Sequence, residues 1–341
     1  MDPTKFSERF STIVNHGFIT LEIAIGHKVG LFAALKKLTD PVTSQELADE
    51  CKLKERYVRE WLGGMTAAEI VCITDDNKYF IPEACKPHLE LSYMASVVPV
   101  IAQSYKECIK CFKDDGPKGY DYSINFDNLL WLGEGKSQCD RYWIDENLFP
   151  VKHIEKDTVM NVLDFGCGTG ELTIKIAQHL PNAKVVGVDV DEKGIQQSME
   201  NKISMGIQNV EFILLKDKCF DESWTSRFDW ILMVDVLHDL PDPESIMAEL
   251  KRVLKLDGVI SAMDPDVHSE HKMNVGNSRA AVLYVFSTLI CLPCSMSQEP
   301  AVGNGIGWGL ENKIKFLKSI GLQILNEDSP TLSLVHCKKC N

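Results

Sequence analysis

The run Val162-Leu163-Asp164-Phe165-Gly166-Cys167-Gly168-Thr169-Gly170 constrains this chain more than any other. A short apolar segment ends in three alternate glycines, and residues 171–180 follow with Leu172, Ile176 and Leu180 at helical spacing. That order is strand, glycine loop, helix. Glycine lets the backbone turn sharply and removes the Cβ that would hold a ligand away. In a doubly wound α/β sheet such a loop lies at the carboxyl edge, where ligands bind.

The downstream sequence supports that sheet. Residues 160–165, 184–189, 210–215, 229–234 and 259–263 are apolar strand segments, separated by helical patterns such as 243–254. Unbroken apolar strands alternating with helices predict a parallel sheet covered on both faces. Strands near 322–325 and 332–336 are expected to finish it, the last one antiparallel.

The N-terminal third has a different texture. Leu21, Ile25, Val29, Phe32 and Leu35 predict a helix over 15–35, and Thr43-Ser44-Gln45-Glu46 is a capping box for the next one. Residues 54–65 give a further helix with Val58, Trp61, Leu62 and Met65 on one face. A hairpin follows, 70–74 and 79–81 around Asp75-Asp76-Asn77-Lys78. Helices followed by a hairpin make a winged helix. The expected organisation is therefore a winged helix over 1–90, a helical linker and substrate cap over 91–156, and a ligand-binding α/β domain over 157–341. Residues 265–309 form a lid insertion after the fifth strand of that domain.

Charge narrows the function. The net charge of −13 argues against a general nucleic-acid binder, which needs clustered Lys and Arg. On the winged helix, Lys54, Arg56 and Arg59 are offset by Glu55 and Glu60, so a dimerisation role is expected in place of groove recognition. Residues 1–10 carry charges throughout and do not read as a secretory signal. The uncharged stretch 280–298 contains Ser287, Thr288, Pro293, Ser295 and Ser297, so it is expected to line a pocket without crossing a membrane. Twelve cysteines without a signal sequence point to reduced thiols in a cytoplasmic protein. The CxxC pairs Cys108/Cys111, Cys291/Cys294 and Cys337/Cys340 are read as scattered thiols, and no metal is expected.

The ligand can be narrowed from the same residues. A dinucleotide fingerprint needs G-x-G-x-x-G, but here the third glycine comes one residue early and Glu171 opens the helix. A pyrophosphate is disfavoured by Asp164 and Glu171, whereas a ligand carrying a sulfonium and an ammonium tolerates both. Asp189 ends the next strand, where a carboxylate can accept hydrogen bonds from both hydroxyls of a ribose, with Val190 beside it to pack on a base.

At these residues the chain resembles the class I methyltransferase family. The resemblance implies an S-adenosylmethionine site over Asp164, Gly166, Cys167, Gly168 and Gly170, with Asp189 on the ribose. It puts the adenine-binding acid at Asp217 and the floor under the methionine moiety along 228–241, including Val234. Arg56-Tyr57-Val58-Arg59-Glu60-Trp61-Leu62, His238-Asp239 and Gly303-Asn304-Gly305-Ile306-Gly307-Trp308-Gly309 resemble a group of winged-helix class I methyltransferases from bacteria and invertebrates. Such a protein is expected to act on a small-molecule methyl acceptor and to form a homodimer through the winged helix, with no nucleic acid or membrane partner.

His238 follows the fourth strand at the ligand edge and is the candidate general base, with Asp239 orienting it or touching the acceptor. A structural packing role for His238 stays open. Acceptor contacts would come from among Tyr120, Tyr122, Trp131, Arg141 and Trp143, but ordinary interdomain packing is the favoured reading for any one of them. The glycines of 303–309 read as a flexible connection suited to a lid. The acceptor is an oxygen, nitrogen or sulfur, with small thiols and arsenic among the options. A winged-helix regulator that uses the cofactor fold as a sensor, and an NAD-linked oxidoreductase, are the competing classes.

Overall fold

Helix α1 (Pro3–Lys28) starts where Asp2 accepts a hydrogen bond from the Thr4 amide at 2.8 Å, with Pro3 in the first turn. The single helix expected over 15–35 is therefore longer, and it is also broken. Gly30 takes a left-handed φ of +82°, and α2 (Leu31–Lys37) leaves at 67° to α1. The computed structural model describes residues 2–120, 157–216, 220–326 and 333–340. These fall into two compact units, Met1–Gln103 and Ser104–Asn341.

In the first unit, α3 (Ser44–Cys51) begins on the expected capping box: Thr43 Oγ1 accepts from the Glu46 amide, and the Thr43 amide donates to Glu46 Oε2 at 2.7 Å. The core is Leu31, Phe32, Leu35, Leu47, Val58, Leu62 and Met65 around Trp61 of α4 (Glu55–Ala67). The Trp61 ring lies against Gly26, where a Cβ would meet Cζ2 at 2.3 Å, and its Nε1 donates to the Glu22 carbonyl at 2.9 Å. Strands β1 (Cys72–Ile73) and β2 (Tyr79–Phe80) pair antiparallel as the wing. Helix α5 (Ser92–Ile101) completes the unit.

The second unit opens with α6 (Tyr105–Cys111). Its sheet, among the described residues, has seven strands: β3 (Asn161–Phe165), β4 (Lys184–Asp189), β5 (Val210–Leu214), β6 (Phe228–Val234), β7 (Leu254–Met263), β8 (Leu322–Ile324) and β9 (Leu334–Lys339). Their order is β5-β4-β3-β6-β7-β9-β8. The first five are parallel, and β9 runs antiparallel to both neighbours, as expected. Alternation along each strand supplies two cores. Leu163, Phe165, Val188, Ile231 and Met233 pack on one face with α9 (Pro243–Val253), while Val162, Val185, Trp230 and Leu232 pack on the other with Ile174 and Ile176 of α7 (Glu171–His179) and Ile195 of α8 (Glu192–Ser204).

Strand β7 starts five residues before the expected 259, so Leu256, Asp257 and Gly258 lie within it. A register shift opposite Phe228 and Trp230 accommodates the extra residues and leaves Leu256 exposed. The insertion after β7 is helical: α10 (Ser278–Phe286), a π-helical turn (Ser287–Cys291) and α11 (Leu292–Ser295) form a continuous run. By length and composition the run 278–295 is apolar enough to cross a membrane, and a third of it is buried inside the protein. Helix α12 (Gly309–Ser319) follows.

Candidate active site

The glycine loop leaves β3 between β4 and β6, so the carboxyl ends of three strands meet at it. Gly166, Gly168 and Gly170 all adopt positive φ, +79°, +54° and +75°. The Gly166 and Cys167 amides donate to the Val188 carbonyl at 2.8 and 3.0 Å, folding the loop back over β4. At Gly166 a Cβ would strike Val236 Cγ2 at 2.4 Å, whereas at Gly168 it would meet nothing within 4 Å. The first glycine is needed for packing; the second presents bare backbone to open space. Only the second has the geometry of a ligand cradle.

Asp189 reaches into that cradle. Its Oδ2 accepts from the Gly168 amide at 2.7 Å and its Oδ1 from the Asp191 amide at 3.0 Å. Burial pushes this carboxyl above its usual range, against the pull of the amides of Gly168, Asp191 and Val190. Val190, next to it, is 69% exposed and available to a flat ring. Asp191 caps α8 through the Gly194 amide at 2.7 Å.

Other residues from the sequence analysis sit differently. Asp164 is only 2% exposed and accepts from the Thr173 hydroxyl at 2.6 Å, so its carboxylate faces α7 on the Val162 side of the strand. Cys167 is buried against Gly187, and burial followed by Asp164 and Asp189 pushes its thiol well above the usual range. It contributes backbone and packing. Val234 is half-buried at the end of β6, one residue before Asp235, which takes a left-handed φ of +55°. Tyr120 is buried, its hydroxyl donating to the Leu289 carbonyl at 2.6 Å. Asp217, Tyr122, Trp131, Arg141 and Trp143 lie outside the described residues.

Beyond the carboxyl ends of β6 and β7 lies a buried polar cluster. His238, 3% exposed, sits in a 3₁₀ turn after β6. Its Nδ1 lies 2.7 Å from Asp264 Oδ1 and its Nε2 lies 3.0 Å from Asp239 Oδ1. Asp264 Oδ2 is 3.3 Å from the ammonium of Lys313, an ion pair without a directional hydrogen bond. Lys313, 1% exposed, donates to the Ser333 carbonyl at 2.8 Å. Cys291 completes the group. Burial works to lower the imidazole of His238, but Asp239 and the hydrogen bonds with Asp239, Asp264 and Cys291 outweigh it and hold it well above its ordinary range. Burial opposes ionisation of Asp264 as well, yet Lys313 and His238 hold its carboxyl down at about 2. Burial and Asp239 push the Cys291 thiol up to about 12.

Asp264, Lys313 and Cys291 were not among the residues expected from sequence. Asp264 carried a usable signal, since Met263-Asp264-Pro265 puts an acid at the carboxyl end of a strand. Lys313 carried none, because a lysine on an amphipathic helix reads as a surface position. The glycine run 303–309 is also different from a flexible connection. Cβ atoms at Gly303, Gly305, Gly307 and Gly309 would meet Met296 Sδ at 2.4 Å, Ser287 Oγ at 2.8 Å, Tyr284 Cε1 at 3.0 Å and the Ser269 amide at 2.3 Å. The Gly305 amide donates to the His238 carbonyl at 3.0 Å, and the Ile306 amide to Ser287 Oγ at 3.0 Å. Close packing fixes this loop.

A parallel sheet with one antiparallel strand inserted beside its edge, and a glycine loop and a partnered acid at its switch point, defines the doubly wound methyltransferase fold. Residues 156–313 match the Methyltransf_31 methyltransferase-domain family, and residues 17–89 the Rv2258c-like winged HTH domain family. The chain thus joins an N-terminal winged-helix domain to a methyltransferase domain. Among curated proteins it is 45% identical over 53 residues to the release factor glutamine methyltransferase of Fusobacterium nucleatum, covering 16% of this chain and 15% of that protein. It is 31% identical over 120 residues to the ubiquinone biosynthesis O-methyltransferase of Pseudomonas fluorescens, covering 35% of this chain and 47% of that one. The chain therefore spans less than half the length of these relatives. Solved structures agree in fold. Mitomycin 7-O-methyltransferase MmcR has a TM-score of 0.71 at 13% identity over 99% of this chain and 98% of that one. PigF with SAH gives 0.71 at 15% over 99% and 100%, and human N-acetylserotonin methyltransferase in complex with SAM gives 0.64 at 14% over 100% and 99%.

Proposed function

We propose that this chain is an S-adenosylmethionine-dependent methyltransferase that acts on a small-molecule acceptor. The observation that carries the reading is the Gly168 cradle with Asp189 on its rim. A carboxylate has about four lone-pair sites, and each oxygen of Asp189 spends one on a backbone amide. The Val190 amide draws on the same carboxylate, and the capacity that remains suits the hydroxyls of a ribose. The similar structures PigF and N-acetylserotonin methyltransferase carry SAH and SAM, which supports the same cofactor here. Gly166, Gly168, Gly170 and the Cys167 backbone would form the bed, and Val190 would cover the base. Val234 and Asp164 would lie beneath the methionine end, and Asp217 would serve the adenine.

Methyl transfer from a sulfonium is an in-line displacement, so alignment of the acceptor and exclusion of water are the main tasks. The insertion 265–309 covers the acceptor side, and His238 with Asp239 is the pair we assign to the acceptor. O-methyltransferases among the similar proteins favour a hydroxyl acceptor, with nitrogen and sulfur acceptors as the alternatives. The regulator reading loses ground because Arg56 and Arg59 on α4 pair with Glu60 and Glu55 of the same helix. The ten described cysteines are all unbridged, which supports a cytoplasmic setting. We retain the residue 91–156 region as the candidate acceptor cap.

The test combines binding and transfer. Titration calorimetry is expected to show binding of S-adenosylmethionine and S-adenosylhomocysteine and none of NAD; binding of NAD alone overturns the reading. A labelled-methyl screen over pooled phenols, amines and thiols is then run with wild type and His238→Gln. The variant is expected to keep its cofactor affinity and lose about 100-fold or more in transfer, the scale of a positioned proton-handling group. Full transfer would remove His238 from the chemistry.

We also propose a homodimer built on the first unit. Helix α1 leaves Phe6, Phe10, Ile13, Phe18, Leu21 and Ile25 exposed, Phe18 to 70%. Burying a phenylalanine contributes about 2–3 kcal/mol, so a self-complementary α1 face would hold two copies together. Light scattering at micromolar concentration is expected to give twice the chain mass, and Phe10→Asp with Phe18→Asp half of that. A monomeric wild type contradicts the proposal.

A further inference from the structure

We propose that His238, Asp239 and Cys291 bind one divalent transition-metal ion, of the borderline-soft zinc type, at the acceptor end of the site. The inference deepens the reading of that end as the acceptor side and rests on it only for the purpose the ion would serve.

The donor atoms are already gathered. One nitrogen of His238, one carboxylate oxygen of Asp239 and the Sγ of Cys291 all lie within 4.8 Å of one another. In a tetrahedral zinc site, ligand atoms at about 2.0–2.3 Å from the ion stand roughly 3.5 Å apart, so a small inward movement closes the set. The ligands come from two distant stretches, the turn after β6 and the last residue of the π-helical turn Ser287–Cys291. A π turn inserts one residue into a helix and re-aims the side chains beyond it, a device found mostly at functional sites.

The surroundings favour an ion over a plain ion pair. Nδ1 of His238 is fixed on Asp264 at 2.7 Å, which leaves Nε2 directed at Asp239, 3.0 Å away. A carboxylate behind an imidazole whose other nitrogen meets further ligands is the arrangement that orients metal-bound histidines. Lys313 holds Asp264 in turn. An imidazolium between two carboxylates has no need of a thiol, whereas nitrogen, oxygen and sulfur donors together select zinc-like ions. Charge balances in both states. With a protonated His238, two carboxylates face an imidazolium and an ammonium. With a divalent ion bound, a neutral imidazole, the Cys291 thiolate and two carboxylates face the ion and the ammonium. Binding therefore exchanges one ion for two protons, one from Nε2 and one from Sγ. Three protein ligands leave a fourth position, as in zinc sites that take a water or a substrate atom.

The test uses the full chain and needs no acceptor. Purified protein is stripped with a chelator, loaded with Co²⁺ and passed through a desalting column. One equivalent of cobalt is expected, with a thiolate-to-cobalt band in the near ultraviolet and strong visible bands of four-coordinate geometry. Cys291→Ser should lose the near-ultraviolet band, His238→Gln should lose the metal, and Asp264→Asn should weaken binding about 10–100-fold. Circular dichroism and S-adenosylmethionine titration report folding in each variant and score the cofactor reading separately. Retention of no cobalt by wild type overturns the site. So does an unchanged spectrum in folded Cys291→Ser, which would place the metal on other cysteines.

Discussion

Asp189→Ala is expected to lower S-adenosylmethionine affinity by about 100-fold or more, because two charge-assisted hydrogen bonds of roughly 1.5–3 kcal/mol each disappear together. The side chain also organises the cradle it serves. It holds the Gly168 amide at 2.7 Å and the Asp191 amide at 3.0 Å, and both lose their acceptor when it is truncated. Gly168 has no side-chain packing to keep it in place. The loop of the variant should therefore become looser before any ligand arrives, adding an ordering cost to the lost contacts. Asp189→Asn is the informative companion. Its amide retains one acceptor oxygen, so it should fall between the other two proteins. Calorimetry on the three proteins checks the series, and equal affinity for wild type and Asp189→Ala would remove the ribose from this carboxylate.

Lys313→Met is expected to destabilise the second unit by about 3–5 kcal/mol, the cost of breaking a buried ion pair by removing one member. The ammonium is 1% exposed, between Asp264 at 3.3 Å and the Ser333 carbonyl at 2.8 Å. Methionine fills a similar volume but answers neither group. For a body of this size the loss corresponds to a fall of roughly 6–20 °C in melting temperature. Removing the carboxylate charge that Lys313 balanced should restore part of it, so Lys313→Met with Asp264→Asn should be more stable than Lys313→Met alone. Thermal melts of the two variants and wild type decide the matter. A single variant that melts with wild type would show that water reaches Asp264 and the pair is not buried in solution.

What could be read from sequence was local. The strand, loop and helix around Gly166–Gly170, the Thr43 and Glu46 capping box, and Asp189 at a strand end each depend on neighbours within a few residues. Strand parity was available too: Asp164 alternates with Leu163 and Phe165, so it had to share a face with Val162 and turn toward α7. The buried polar cluster was not readable, because His238, Asp264, Cys291 and Lys313 meet across as many as 75 residues and four elements. Periodicity says nothing about such meetings. The start of α1 was legible as well: Phe6, Phe10 and Ile13 recur at helical spacing behind the Asp2 and Pro3 start signal. In the 303–309 run, glycine spacing alone cannot separate a loose tether from a tightly wedged one, and only the neighbouring atoms decide.

The stitch between the Gly305 amide and the His238 carbonyl carries a lesson for engineering. Whoever wishes to retarget this scaffold toward a new acceptor cannot trade the 265–309 segment as a detachable cover, since its backbone braces the very turn that holds the imidazole. The movable alphabet is confined to side chains such as Asn304, set between glycines that must stay, while Trp308 is held against Phe316 and the core. Diversity on this chassis should therefore accumulate letter by letter within a hoop of fixed length, and grafted hoops of other lengths should forfeit the histidine's pose along with the pocket they were meant to reshape.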